Sequence, residues 1–542
     1  MKTLLIGINA KYIHTNNAIR LLKANCDFHV DLIEFTIKDD IQDIIRYIEE
    51  YNPDVLGFSC YIWNIDLIIK IINKLRLNGS KVILGGPEVS YESMYFINKY
   101  PIDYILSGEG EIAFNLLLKA LKYKHDVSNI PNLTYLEGNH IIHTPVEEIE
   151  NLNQIKLPYY FEEDVKTIPS KISYIESSRG CPYKCSYCLS SLEKKVRFFD
   201  IEKVKETILY LMNNGSKTIK FLDRTFNANK NTFELLQFII ENNNFQTVFQ
   251  FEITGDILDP KIIDYLNEFA PSGLFRFEIG IQSINYETNY LVDRIQDNEK
   301  LFKNIKRIQS KNIIDLHLDL IAGLPKEDLK SFKFTFNEVF KLGAKELQLG
   351  FLKMLRGTKI RIESDKYHYL YDENAPYQII SNDSLTKEDI DVIHLVEHML
   401  EIYHNKGYFK EEMHKILLSK DSPFDFLYEV GIHWLKNNFE MRNYQIEDVY
   451  TRIFPFLTEK ELFNIKKDYL NRSKIKPKLF FDVLRDKAEK KALFEYICIT
   501  HHIEFDVLHK HAVVIENEFE YYTCIYLQPY KTRITIKKED IR

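Results

Sequence analysis

Ile172-Ser173-Tyr174-Ile175-Glu176, followed closely by Arg179-Gly180-Cys181-Pro182-Tyr183-Lys184-Cys185-Ser186-Tyr187-Cys188, decides how the rest of this chain is read. The first five residues read as a strand, and the loop behind it gathers three of the chain's seven cysteines into eight residues. Reduced cysteines so close together share a metal or a cluster; an odd count in so long a chain does not suit a disulfide framework. Three thiolates on one loop fit a cubane iron–sulfur cluster whose remaining iron stays open to a substrate or cofactor. A structural zinc ion needs four protein ligands, usually in two separated pairs, and no fourth cysteine or histidine lies nearby in sequence. A zinc site completed from afar is the alternative.

Outward from this loop, strands are expected near Ile172 to Glu176, Thr218 to Leu222, Val248 to Ile253, Phe275 to Ile281, Leu316 to Ile321 and Glu346 to Phe351, with helical segments such as Glu202 to Met212 and Leu301 to Ile308 between them. Six such units predict a partial (β/α)6 barrel of TIM type over residues 171–365, with its chemistry at the C-terminal strand ends. Upstream, residues 1–125 alternate strands (Leu4 to Ile8, His29 to Phe35, Val55 to Ser59, Val82 to Leu84, Tyr104 to Leu106) with helices (Asn17 to Ala24, Ile41 to Glu50, Ile65 to Leu77, Glu92 to Lys99). That alternation predicts a doubly wound parallel sheet of flavodoxin or Rossmann type. Gly85-Gly86-Pro87 and Gly108-Glu109-Gly110 follow its fourth and fifth strands, at the edge where open parallel sheets hold ligands.

Ile130-Pro131-Asn132, Gly138-Asn139 and Leu157-Pro158-Tyr159 break the rhythm, so residues 126–170 read as a linker with a small hairpin. A second break, Asp365 to Ser384, precedes a C-terminal α+β domain over residues 366–542. In it Thr386 and Asp389 form a capping signal for a helix whose apolar face is Val392, Ile393, Val396, Met399, Leu400 and Tyr403. Ala512 to Ile515, Glu520 to Leu527 and Arg533 to Ile536 read as a small antiparallel sheet in this mainly helical part. The fold class is α/β throughout the first two parts.

Lysine and arginine number 71 against 79 aspartates and glutamates, a formal charge of −8, and no basic block appears. This argues against a dedicated nucleic-acid binder. An apolar content of 45% excludes global disorder. The most apolar long stretch, Ile62 to Leu75, is interrupted by Asn64, Asp66, Lys70, Asn73 and Lys74, so no membrane span is expected. Leu4 to Ile8 is shorter than a signal-peptide core and is followed by Asn9 and Lys11 with no small-residue cleavage site. A cytoplasmic protein is expected.

The spacing Cys181-x3-Cys185-x2-Cys188, with aromatic Tyr187 before the last cysteine, resembles the signature of the radical S-adenosylmethionine (SAM) superfamily. The doubly wound domain ahead of it narrows the likeness: residues 1–365 resemble radical SAM enzymes that carry a cobalamin-binding domain, and the C-terminal part resembles a domain of unknown function found in one subgroup. The resemblance implies a [4Fe-4S] cluster on Cys181, Cys185 and Cys188 whose unique iron chelates the amino and carboxylate groups of SAM. An electron from the reduced cluster then cleaves the sulfonium to methionine and a 5′-deoxyadenosyl radical, which abstracts a substrate hydrogen. Cobalamin in this class commonly carries the methyl group that is delivered. An electron donor such as flavodoxin or ferredoxin and a small-molecule or other substrate are implied as partners, while the protein supplies placement and dryness.

By the same resemblance, SAM contacts fall on Tyr187, Asp223, Glu252, Gln282, Ser283, Gly323, Leu324 and Pro325, and Arg224 stands where relatives often have a second acid. Strand-end residues also serve packing and turns, the bland reading of each. Cobalamin contacts fall on Asn9, Ala10, Lys11, Tyr12 and His14 in the first loop, and on Ser59, Gly85, Gly86, Pro87, Glu88, Ser107, Gly108, Glu109 and Gly110. Tyr12, His14 and Asn17 occupy the places of the Asp-x-His-x-x-Gly of other cobalamin proteins, so His14 lacks the aspartate that would orient it as a cobalt ligand. Base-off binding mostly without histidine ligation is therefore expected.

The leading expectation is a radical enzyme that methylates an unactivated carbon or similar centre. The alternatives are a radical SAM enzyme using cobalamin without methyl transfer, or not at all, and a non-catalytic iron–sulfur or zinc module. His394-Leu395-Val396-Glu397-His398 matches a zinc-peptidase pattern but lies off the apolar stripe of its helix and reads as a solvated face. His501, His502, His509 and His511 read as surface or pocket residues, and Cys26, Cys60, Cys498 and Cys524 as packing residues.

Overall fold

The computed structural model describes residues 1–76, 79–193, 195–409, 411–527 and 531–541. The chain folds into two compact units, Met1–Thr335 with Gln348–Ile390, and Phe336–Leu347 with Asp391–Arg542.

The first unit holds two large sheets. Strands β1 (Thr3–Asn9), β2 (Asp31–Thr36), β3 (Val55–Ser59), β4 (Lys81–Gly85) and β5 (Tyr104–Leu106) run parallel in the order β2-β1-β3-β4-β5. β1 and β3 are buried along their whole length, as parallel strands covered on both faces must be. On one face Ile6, Phe58 and Leu84 meet Ile44, Ile48 and Ile68; on the other Leu5, Ile83 and Leu106 meet Phe114 and Leu117. The helix expected from Ile65 to Leu77 covers Ile65–Ile72, and Leu77 lies outside the described residues. The hairpin expected between residues 126 and 170 is present as β6 (Leu133–Glu137) and β7 (His140–His143), but it does not stand apart. β6 pairs antiparallel with β5 and buries Leu133 and Tyr135, extending the sheet beyond its short fifth strand.

β8 (Ile172–Ile175) opens the second sheet. A two-residue ladder, β9 (Ser178–Arg179) with β10 (Arg197–Phe198), follows it, and then come β11 (Thr218–Phe221), β12 (Val248–Ile253), β13 (Phe275–Gln282), β14 (Asp315–Ala322) and β15 (Glu346–Phe351). The sheet order β15-β14-β13-β12-β11-β8 is the expected six-stranded partial barrel. Its strands alternate buried and half-buried positions: Phe249, Phe251, Phe275, Phe277 and Leu316 are buried, while the opposite face carries Lys220, Glu252, Glu278, His317 and Asp319. Lys220 donates to Glu278 at 2.7 Å and lies 3.7 Å from Glu252, so this half-buried face is polar and partly paired. The break after residue 365 contains a further short hairpin, β16 (Leu370–Tyr371) with β17 (Ile379–Ser381).

In the second unit, the helix Lys387–Leu400 continues into a π-helical turn, Glu401–Asn405, and its start is held by the reciprocal Thr386–Asp389 box. Ile393, Val396, Met399, Leu400 and Tyr403 are buried, Val392 half-buried, as the periodicity requires. Strands β18 (Ala512–Glu516), β19 (Glu520–Tyr526) and β20 (Lys531–Lys537) form the antiparallel sheet. His398 contacts the carbonyl of His394 and the carboxylate of Glu397, and among the described residues no group of three or more His, Cys, Asp or Glu side chains is placed to hold a metal ion. The His501, His502, His509 and His511 side chains are exposed. Among the described residues no helix is long and apolar enough to cross a membrane.

Candidate active site

The ladder of β9 with β10 closes a loop of residues 180–196 that carries the three clustered cysteines. Gly180 makes the closure possible: its φ is +91°, and a Cβ there would stand 2.3 Å from the Lys195 carbonyl oxygen. The loop is strapped from both sides, with Ser186 N–H donating to the Val292 carbonyl at 2.9 Å and Ile360 N–H to the Ser186 carbonyl at 3.0 Å. All three thiols are free, Cys185 buried and Cys181 and Cys188 half-buried. Cys181 Sγ lies 3.5 Å from Thr225 Oγ1, and Arg294 Nη1 lies 3.8 Å from Cys185 Sγ and 3.2 Å from the Tyr187 hydroxyl. Burial pushes the Cys185 thiol up while Arg294 opposes it. A loop of soft donors spread over three positions suits a cluster, in which each thiolate takes a different iron.

The eight residues expected at SAM divide into two groups. Tyr187, Glu252 and Gln282 keep free surface at the barrel mouth. Gln282 has φ +67° at a bulge in β13, and its buried Oε1 accepts no hydrogen bond from the described residues, a strained backbone with an acceptor to spare. The other five face protein. Asp223 is fully buried, accepting from Ser177 N–H, Ser177 Oγ and Ser178 Oγ at 2.9, 2.5 and 2.6 Å, so it fastens the entry to the cysteine loop. Burial pushes its pKa up to about 6 against those donors. Gly323, Leu324 and Pro325 are buried, with the Gly323 carbonyl taken by Tyr369 and Asn382 and the Pro325 carbonyl by Thr288. Ser283 donates to Glu327 at 2.7 Å, and Thr335 donates to the same oxygen at 2.8 Å.

Glu327 is fully buried, and burial raises its pKa to about 7 despite these two donors. A carboxyl raised on folding contributes stability that is fully present below its unfolded value and lost as pH rises through the folded one. The difference from 4.5 to about 7 amounts to about 3 kcal/mol. Glu327→Gln is expected to melt above the parent at pH 8, with the gap closing towards pH 5; equal melting temperatures across that range would sink the assignment.

Sequence reasoning gave no role to Tyr61, Trp63, Tyr91 or Arg294 and left Arg224 as a departure from the pattern. Tyr61 and Trp63 follow β3 and stack at 4.5 Å and 5°, with Trp63 45% exposed. Arg224 keeps an exposed side chain although Glu252, Cys188, Glu193 and Glu176 all lie within electrostatic reach. It also reaches Tyr61 and Tyr91, and Tyr91 in turn feels Cys188. The C-terminal edge of the first sheet touches the cysteine loop of the second directly where Arg179 and Arg197 pair with Glu109, and Tyr91 lies against Gly357 beyond β15. The signal available in the sequence was position alone: Tyr61 and Trp63 stand just past a parallel strand, where ligands sit.

At that first edge Ala10, Lys11, Tyr12, His14, Gly85, Gly86, Pro87, Gly108, Glu109 and Gly110 keep some surface, whereas Asn9, Ser59, Glu88 and Ser107 are buried. Asn9 donates to the His14 carbonyl and to Glu34, Ser59 accepts from Asn16, Ser107 donates to the Ser90 carbonyl, and Glu88 accepts from the Tyr377 hydroxyl at 2.7 Å. His14 Nδ1 lies 2.7 Å from the Tyr174 hydroxyl on β8, and burial lowers its pKa. A Cβ on Gly86 would stand 2.5 Å from the Cys60 carbonyl oxygen, whereas one on Gly108 meets only Val146, at 3.6 Å. Small residues at three strand ends beside an exposed, flat aromatic pair fit a corrin and its tail.

Residues 3–118 match the B12 binding domain family, residues 175–339 the radical SAM superfamily, and residues 365–536 a family described as a protein of unknown function, DUF4080. The chain thus carries a B12-binding domain and a radical SAM domain, which imply a [4Fe-4S] cluster, SAM and cobalamin as cofactors. It is similar to an uncharacterized methyltransferase of Pyrococcus horikoshii, 31% identical over 35% of this chain and 43% of the relative. It is also similar to the cobalamin-dependent radical SAM methyltransferase TokK of Streptomyces tokunonensis, 24% identical over 54% of this chain and 46% of that one. The chain thus spans a little under half the length of these relatives. Among solved structures, the cobalamin-dependent SAM radical enzyme OxsB shares the fold with a TM-score of 0.62 at 15% identity, over 88% of this chain and 82% of that one.

Proposed function

We propose that this protein is a cobalamin-dependent radical SAM methyltransferase. The observation that carries the reading is that the cysteine loop and a strand-end loop of the first sheet are joined directly, Arg179 and Arg197 at the base of the one both pairing with Glu109 of the other. In such an enzyme the radical source and the methyl carrier act on one substrate, and loops joined this closely would hold the two cofactors near each other. When bound, the cluster supplies the electron that cleaves SAM, and cobalamin supplies the methyl group. Cys181, Cys185 and Cys188 would hold the cluster. Tyr187, Glu252, Gln282 and Arg224 would face SAM and the substrate, and Gly85, Gly108 and the Tyr61–Trp63 pair would line the corrin. His14, tied to Tyr174, serves as a loop contact and not as a cobalt ligand. The proposed domain bounds are 1–125, 171–365 and 366–542, with 126–170 between the first two; its hairpin extends the first sheet, and residues up to Ile390 belong to the first compact unit. A flavodoxin- or ferredoxin-type donor in the cytoplasm would supply the electrons, and a small molecule would be the substrate.

The test is anaerobic reconstitution with iron, sulfide, hydroxocobalamin and methyl-labelled SAM under dithionite. Expected are 5′-deoxyadenosine and labelled methylcobalamin; 5′-deoxyadenosine with no label on cobalamin turns the reading to non-methylating chemistry, and neither product overturns it. Gly108→Trp is expected to cut cobalamin uptake at least tenfold while the cluster's absorbance stays. The same change at Gly86 tests the fold instead, because it strikes the Cys60 backbone.

A further inference from the structure

We infer that Glu109 is a positioning residue that, with Arg179 and Arg197, bolts the base of the cysteine loop to the strand-end loop of the first sheet and so sets the spacing between cluster and cobalamin. The inference rests on the cofactor sites proposed above and corrects the expectation that Glu109 contacts cobalamin.

Arg179 and Arg197 are direct cross-strand partners in the ladder that closes the cysteine loop. Two guanidinium groups side by side repel unless an acid lies between them, and Glu109 is that acid. Arg179 Nη1 donates to its Oε1 at 3.1 Å and Arg197 Nη1 to its Oε2 at 2.8 Å. The Ile149 N–H donates to Oε2 at 2.6 Å, and Arg197 Nη1 also reaches the Ile149 carbonyl at 2.8 Å. Both Glu109 oxygens are therefore engaged by protein donors. Arg179 further donates to Glu111 at 2.5 Å and through Nε and Nη2 to Glu176.

The knot is nearly dry: the Arg179, Arg197 and Glu111 side chains are 10%, 4% and 5% exposed and Glu109 is 15% exposed. Charge-assisted pairs in such surroundings hold geometry firmly. Glu109 follows Gly108, and Arg179 stands just before Gly180 and Cys181, so the bolt joins the two loops close to where each cofactor would sit. Neither cofactor needs these side chains as ligands. Their effect is on the distance between the two sites.

The experiment reads that distance. The full chain, loaded with both cofactors, is reduced so that cob(II)alamin and the reduced cluster are both paramagnetic, and the coupling between the two spins is recorded. Glu109→Gln is expected to keep wild-type amounts of both cofactors while the coupling weakens and its distribution broadens; Arg197→Lys, which retains the charge, stays near wild type. An unchanged coupling in Glu109→Gln overturns the inference, and so does a tenfold loss of cobalamin affinity with the coupling intact, which would make Glu109 a direct contact. Should Glu109→Gln fail to fold, Glu111→Gln, which loosens Arg179 alone, is expected to broaden the coupling to a smaller degree, and no broadening there overturns the inference. A wild-type chain that takes up no cobalamin defeats the functional reading instead.

Discussion

Alanine at any one of Cys181, Cys185 or Cys188 is expected to remove the broad iron–sulfur absorbance and to bring 5′-deoxyadenosine formation to background. Each thiolate would serve a different iron, so the loss of any one leaves an iron without its protein ligand. The neighbouring groups sharpen the expectation. Arg294 by Cys185 and Tyr187, and Arg224 within reach of Cys188, are cations brought to a place where thiolates and a cluster add negative charge. Without the cluster they stand beside fewer anions, so the variants should also lose thermal stability. Cys498→Ala and Cys524→Ala are the controls, since Cys524 is buried in a core cluster of the second unit and half-buried Cys498 packs against another. Both should retain full cluster content. A complete cluster in the triple cysteine variant would falsify the assignment.

Much of this arrangement was legible because it depends on local pattern. β3, β5, β12 and β15 have the extents the alternation predicts, and the remaining parallel strands differ by a few residues at their ends. Buried central strands leave little freedom in where apolar runs begin and end. The cysteine loop was legible because its ligands are contiguous. What the pattern could not supply was pairing between distant charges. Glu88 reaches Tyr377, Glu109 reaches Arg179 and Arg197, and Asp223 reaches Ser177 and Ser178. Each acid looked available to a cofactor while its partner was unknown, and in the fold each is engaged by a protein donor. Hairpin β6–β7 lies where the turn residues predict it, but they say only that its two strands pair with each other, not that one of them also pairs with β5.

The largest stability effect is expected at Glu34, whose charge holds together three segments far apart in sequence. Arg20 Nη2 donates to Glu34 Oε2 at 3.0 Å, Lys171 Nζ to the same oxygen at 2.7 Å, and Asn9 Nδ2 and Asn16 N–H donate to Oε1. Arg20 also donates to Asp164 at 2.8 Å. All four charged side chains are at most 8% exposed. Burial alone would raise the Glu34 carboxyl, but Arg20 and Lys171 hold it at about 2. Asp164, with a share of Arg20 only, is instead pushed up by burial. A carboxyl lowered from 4.5 to about 2 contributes about 3 kcal/mol, present above pH 4.5 and lost as pH falls through 2. Glu34→Gln goes further at neutral pH, because it leaves Lys171 and part of Arg20 as buried charge without a counter-ion, a loss of about 3–5 kcal/mol. Urea unfolding at pH 7 should show that loss, and the difference from the parent should shrink between pH 4.5 and pH 2 as the parent's own carboxyl takes up its proton. A gap that stays constant down to pH 2 would mean that packing, and not the charge on Glu34, holds Lys171 at the start of β8 against Arg20 and β2.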